Sequence, residues 1–280
     1  WTSFVQALVM IAALTLLTFM SLQKVGGMAA LADRLNRFPQ GAPPSDLLFE
    51  ILSMLFSEEE ASLVSLMPIK PFTAEKASRI WKKNLAETKN ILDELADRAI
   101  LVDFEQNGET FYALPPPMAG FFEFSLMRVR DDIDQKVLSE LFHEYMNVEE
   151  DFIRALFTEG QTQLGRVFVQ EAVLPIDNGI RVLDYERASE VIKTASHRGV
   201  GICYCRHKMH HMDRACGAPM EICMTFNATA QSLVKHGVAR RMDVAEGLDL
   251  LARAQDEEEQ FWILRMMAEE LRHGYQMLHL

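Results

Sequence analysis

All four cysteines of this 280-residue chain fall within twenty-one residues: Cys203, Cys205, Cys216 and Cys223. Cysteines placed singly for packing would be scattered. Four thiolates are the number that holds a [4Fe–4S] or [2Fe–2S] cluster, or that closes a tetrahedral zinc site. Gly199 and Gly201 ahead of the stretch and Gly217 within it would let backbone N–H groups approach inorganic sulfide closely. Arg206, His207, Lys208, His210, His211 and Arg214 place positive charge there, which favours a dianionic cluster or a tetrathiolate. The spacing is C-x-C, then ten residues, then six. It matches neither the C-x2–4-C zinc knuckle nor the C-x2-C-x2-C ferredoxin run. Spacing alone therefore points to a metal site, with iron–sulfur preferred over zinc. His207, His210 or His211 replacing one thiolate stays open, as do two disulfides. No isolated cysteine with a distant histidine and amide suggests a nucleophilic enzyme.

A second pattern lies at the far end. Glu270-Leu-Arg-His273 is an E-x-x-H, the spacing that puts a carboxylate and an imidazole on one face of a bundle helix to bind iron or manganese. Asp256–Leu280 reads as one long helix. Glu270 falls among Ile263, Met267, Gly274 and Met277, and a carboxylate in an apolar sector needs a partner. A working pair of metals requires another carboxylate helix and a second E-x-x-H, and the sequence offers neither. An amphipathic helix with an incidental E-x-x-H reads equally well.

The elements around these residues follow from periodicity and caps. Val25 to Phe38 reads as a short amphipathic helix, and Pro39 to Pro44 marks a boundary. Ser45 starts a helix to Phe56, and Ser57 with Glu60 forms a capping box for the next. Thr73 caps a helix over 74–83, and 85–98 is helical. Strands over 100–105 and 109–114 flank Asn107-Gly108, a tight-hairpin signal. Helices followed by a hairpin are the order of a winged helix-turn-helix over 45–115. Its recognition-type helix carries Lys89 and Arg98 against Glu87, Asp93, Glu94 and Asp97, a poor surface for phosphate. Phe121-Phe-Glu-Phe124 reads as a core plug. Further helices are expected over 131–145, 147–157 (capped by Asn147 with Glu150), 185–196, 225–236 and 244–254. Short strands are expected over 167–174 and 180–183. The fold class is mainly α with small β hairpins, that is α+β, with a metal-binding domain over 120–254.

Net charge −12 and a pI near 5.2 argue against a general nucleic-acid partner. Residues 1–23 carry no charge, and Phe4 to Leu22 has the length of a bilayer span. Lys24, Arg34 and Arg37 follow it, so the positive-inside tendency would put the remainder at the cytoplasmic face of a membrane. A reducing cytoplasm favours metal over disulfides.

Three segments carry a resemblance: ALADRLNRFPQGAPPSDLLFEIL, LPPPMAGFFEFSLMRVRDDIDQKVL and GVGICYCRHKMHHMDRACGAPMEICMTFN. Together, over about residues 31–254, they resemble the 4Fe–4S ferredoxin-type iron–sulfur binding proteins of bacteria and archaea. The resemblance implies that Cys203, Cys205, Cys216 and Cys223 are cluster ligands, most simply of a [4Fe–4S] cluster, and that the partner is a redox protein. Members usually continue into a second, denser cysteine-rich stretch, which this chain does not have after Ala254. Residues 256–280 are instead similar to the diiron helix of phenylacetyl-CoA and benzoyl-CoA epoxidases, as a truncated or fused end would be. The first expectation is thus a membrane-anchored iron–sulfur protein for electron transfer or redox sensing. A zinc-stabilised winged-helix regulator or scaffold, and a fragment of a diiron oxygenase held by Glu270 and His273, are the alternatives.

Overall fold

The computed structural model describes residues 26–38, 41–148, 151–152, 185–215, 217 and 219–255. Over these the chain is mainly helical with two small antiparallel sheets. The first helix, α1, covers 26–35. It is followed by α2 (Asp46–Leu55), α3 (Glu58–Ser65), α4 (Ala74–Trp81) and α5 (Leu85–Asp97). Each of these four starts where the sequence supplies a cap. Ser45, Thr73 and Asn84 each accept a backbone N–H of the first turn, and Ser57 and Glu60 satisfy each other's N–H groups reciprocally. Their inward faces bury Leu48, Ile51, Leu52, Val64, Leu92 and Leu95 completely.

The hairpin β1 (Val102–Gln106) and β2 (Glu109–Ala113) pairs in register from Val102↔Ala113 to Gln106↔Glu109. Asn107 and Gly108 both take positive φ, 54° and 79°, the two-residue turn whose twist matches the strands. Phe72 adds a bridge to Tyr112, so a third extended segment lies against the hairpin. Inside this unit Arg34 is fully buried. Its Nε and Nη2 donate to the Met67 and Pro68 carbonyls at 2.7 and 2.8 Å, and its guanidinium lies 4.8 Å from the Phe38 ring centre. Burial, then Arg37 nearby, lowers its pKa to about 10.

Pro117 opens a wide turn, Pro117–Phe121, that runs into the single turn α6 (Phe122–Phe124). Phe121, Phe122 and Phe124 are buried, as the core-plug reading expects. Phe122 sits 4.9 Å from both Phe121 and Phe142, and Phe121 meets Phe56 edge-on. The next helix, α7 (Gln135–His143), begins four residues later than the sequence suggests, because Asp134 rather than Asp131 accepts the first-turn N–H groups. It continues into the wide turn Glu144–Val148. Of the helix expected over 147–157, Asn147 and Val148 lie in that turn, 151–152 are helical, and the rest lies outside the described residues. Asn147 lies inside that turn and accepts from Lys208, while its expected capping partner Glu150 lies outside the described residues.

The second sheet has the order β4-β3-β5, formed by β3 (Arg198–Ile202), β4 (Glu221–Phe226) and β5 (Arg240–Arg241). Its helices are α8 (Tyr185–Thr194), α9 (Tyr204–His210), α10 (Asn227–Lys235) and α11 (Val244–Gln255). A second cluster of Ala188, Ile192, Val200, Ile222, Met224, Phe226 and Leu251 fills the space among α8, the sheet and α11. Cys203 and Cys205 thus lie where β3 leads into α9, and Cys223 lies on β4. The helix expected from Thr225 starts at Asn227, because β4 runs through Phe226.

Among the described residues no helix is long and apolar enough to cross a membrane. The expected span over 1–23, the helix tail beyond Phe152, the strands over 167–174 and 180–183, and the helix over 256–280 lie outside the described residues.

Candidate metal centre

Cys203, Cys205 and Cys223 are positioned by one strand pair and one helix. β3 is the central strand, and its Gly201 stands opposite Cys223 of β4. A register shift after Gly201 bends the ladder, and the Cys203 N–H then donates to the Met220 carbonyl at 2.7 Å. The chain turns there into α9, with Cys203 as the residue before its first turn and Cys205 within it. C-x-C therefore spans a strand-to-helix corner, and Cys223 enters from the neighbouring strand. Cys203, Cys205 and Cys223 are free of disulfide bonds.

Gly201 and Gly199 have a different role from the one the sequence suggests. A Cβ on Gly201 would lie 3.0 Å from Met127 Cε and 3.1 Å from the Val238 carbonyl oxygen. One on Gly199 would meet Thr225, Val234 and Ala239 at 3.0 to 3.2 Å. Both make room for packing beneath β3. The Ile202 N–H donates to the Met127 carbonyl at 3.1 Å, which ties this strand to the segment after α6.

The thiols are electrostatically unlike. Cys203 has its pKa lowered to about 6, first by a hydrogen bond from the Cys205 thiol, then by the Arg206 backbone N–H and guanidinium against the penalty of burial. Cys205 is pushed well up by the same hydrogen bond, then by burial and by the neighbouring Cys203 and Cys223. The opposed shifts make Cys203 the more acidic thiol of the pair. Tyr204 is buried, and its hydroxyl meets the Cys205 thiol; burial, then the charges of Cys205 and Glu123, raises its pKa.

Two buried charged residues stand in the same neighbourhood. Lys208 is only 7% exposed and donates from Nζ to Asn147 Oδ1 at 2.9 Å; burial lowers its pKa, while Cys205 and Glu123 favour its cation. Glu123 is 3% exposed and accepts from the Gly120 N–H at 2.7 Å. Arg206 donates to the Pro219 carbonyl at 3.0 Å, bracing the turn that returns to β4. Positive charge from Arg206 and Lys208 thus faces developing thiolates in a partly desolvated setting, which lowers the cost of gathering sulfur anions there.

The sequence-derived ligands divide as follows. Cys203 and Cys205 are in hydrogen-bond contact, and Cys223 lies on the adjacent strand, near enough for its charge to act on Cys205. Cys216 lies outside the described residues, as do Glu270 and His273. His207 is buried and turns its Nδ1 toward the Leu126 carbonyl at 2.8 Å, while His211 Nε2 lies 3.2 Å from His207 Nε2. His210 is exposed at the end of α9. Among the described residues no group of three or more His, Cys, Asp or Glu stands as a ready set of metal ligands.

Tyr204, Glu123 and Asn147 are parts of the site that sequence reasoning missed. Glu123 carried a signal: a carboxylate inside an aromatic run must find a partner. A second polar cluster was also unforeseen. Asp103 of β1, 1% exposed, receives Ser232 Oγ at 2.7 Å, His236 at 2.9 Å and the Lys235 ammonium, all from α10 or its end. Arg128 adds Nη1 to the His236 carbonyl at 2.7 Å and Nη2 to the Asp97 carbonyl at 2.6 Å. This cluster joins the hairpin to the helix that leaves the Cys223 strand.

Comparison with protein-family models, with curated proteins and with solved structures finds no match for the chain.

Proposed function

We propose that this chain is an iron–sulfur binding protein that serves electron transfer or redox sensing, with Cys203, Cys205, Cys216 and Cys223 as the cluster ligands. The observation that carries the reading is the contact of the Cys203 and Cys205 thiols at a strand-to-helix corner, with Cys223 on the strand beside it. The donor chemistry fits such a group. Thiolate is accessible at neutral pH at Cys203, cationic groups face the sulfurs, and Cys223 is held on a hydrogen-bonded strand. A bound cluster, most simply [4Fe–4S], would supply one-electron chemistry. The residues supply the anionic ligands, Arg206 and Lys208 offset their charge, and the aromatic core of Phe121, Phe122 and Phe142 limits water behind them.

The N-terminal unit reads as a winged-helix module. Its support is the helix order, the two-residue hairpin and the Phe72 bridge to Tyr112, which supplies the small third strand of such a module. Its acidic α5 uses Asp93 to accept the Tyr112 hydroxyl at 2.6 Å, so the helix serves protein contacts rather than phosphate. In this reading the partner is a redox protein, and residues 1–23 hold the chain at the cytoplasmic face of a membrane.

The test is the metal inventory and visible and EPR spectra of protein purified without oxygen. Iron with an equal amount of acid-labile sulfide supports the proposal. One zinc per chain and no visible absorption replaces it with the zinc-stabilised regulator. Iron without sulfide that depends on Glu270 and His273 replaces it with the diiron fragment.

A further inference from the structure

The two histidines one turn apart on α9 have a geometry that the cluster reading does not use. His207 and His211 are related as i and i+4, which stacks their side chains on one face of the helix. His207 is 5% exposed, and its Nδ1 lies 2.8 Å from the Leu126 carbonyl oxygen. A carbonyl accepts only from an N–H, so this contact puts the proton of the neutral ring on Nδ1. Nε2 is left with its lone pair, the second-shell arrangement that prepares a metal-binding imidazole. That lone pair is directed at His211, whose Nε2 is 3.2 Å away.

The ring positions are those a shared ion would accept. A straight N–H···N hydrogen bond at 3.2 Å would set the ring centres about 5.5 Å apart. A shared ion at the usual zinc–nitrogen distance would subtend about 100° at the metal and set the centres about 5.0 Å apart. The observed separation is 4.8 Å, with the ring planes inclined at 34°. The rings thus lie closer than a straight hydrogen bond would set them, at a bend that a shared ion would also produce. His211 is half-buried, so water has access to complete the coordination.

We propose that His207 and His211 form a two-imidazole site for a divalent transition ion of the zinc, cobalt or copper class, separate from the thiols. Imidazole pairs suit these ions, and the Leu126 carbonyl anchors one ligand in advance. The site joins the α6 segment to α9, so occupancy braces the helix that carries Cys205.

The test titrates the full-length, anaerobically purified protein with Zn2+ by calorimetry and records the spectrum of its Co2+ form. The expected result is one site whose Zn2+ affinity falls about tenfold or more in His211→Ala, since a lost ligand costs no less than a lost outer-shell partner. His197→Ala, an exposed histidine elsewhere, should leave it unchanged. The Co2+ form should lack a sulfur-to-metal charge-transfer band. Equal affinity in His211→Ala, no binding by the folded protein, or a Co2+ spectrum dominated by that band and abolished by Cys203→Ser would overturn the proposal. Iron and sulfide content reads the cysteine cluster separately, so either assignment can fail while the other stands.

Discussion

At the scale of residues, the decisive feature is the inequality of Cys203 and Cys205. A C-x-C placed across a strand-to-helix corner brings the two sulfurs into contact, and the hydrogen bond between them lowers the Cys203 pKa while raising that of Cys205. In metal-free protein, Cys203 should react with iodoacetamide along a pH curve with its midpoint near 6, read by mass spectrometry of the labelled peptide. Cys205→Ala removes the thiol donor, so that midpoint should move upward. An unmoved midpoint would assign the activation to Arg206 alone. The ligand types were legible in the sequence because clustered cysteines have few other uses. Their surroundings were not. Lys208, Glu123 and Tyr204 matter through burial, and nothing in the spacing of Lys208 says that Asn147, sixty-one residues away, accepts its ammonium.

Among elements, caps and turns read best because their signals are local. Ser57 with Glu60, Thr73 and Asn107-Gly108 all act where the sequence puts them. The strands β3 and β4 were hidden. β3 is short and glycine-rich, β4 lies between a proline and a helix, and only their mutual pairing makes either a strand. That pairing is also what aligns Cys223 with Gly201. Gly201→Ala should therefore cost about 1–3 kcal/mol through overpacking against the Val238 carbonyl, measured by denaturant unfolding, and should weaken metal retention as well. The junction between β1 and α10 gives a pH-dependent prediction. The hydrogen bond that His236 donates to the Asp103 carboxylate raises the His236 pKa, against burial. Burial would raise Asp103, but hydrogen bonds from His236, Lys235 and Ser232 hold it well below the usual carboxylate range. The imidazolium's contribution is complete below its unfolded pKa and fades as pH rises through the raised folded value. The carboxylate's contribution fades only as pH falls through its depressed folded value. The junction is thus strongest in mildly acidic solution. Native protein should lose stability from there to pH 8.5 more steeply than His236→Gln, as followed by thermal melts across that range.

Over the whole molecule, the two sheets and their helices form a continuous path from the hairpin to the thiols. Asp103 grips α10, α10 follows directly from β4, and β4 carries Cys223. The aromatic stack of Phe121, Phe122, Phe142 and Tyr145 packs the N-terminal helices against the segment that anchors β3. Phe122→Ala should cost about 3–5 kcal/mol, because the ring is fully buried between Phe121 and Phe142. Such a loss, seen as a shifted unfolding midpoint, should come with weaker metal retention if the stack supports the cysteine corner. The central claim is that the cysteines hold an iron–sulfur cluster. Its most direct measurement is iron and acid-labile sulfide per chain, with the EPR spectrum of the reduced form, in native protein and in a variant with Cys203, Cys205, Cys216 and Cys223 all changed to serine. The account predicts about four irons with matching sulfide in the native protein, the complement of a [4Fe–4S] cluster, and neither in the variant. Zinc in their place, or iron that survives the four substitutions, would contradict it.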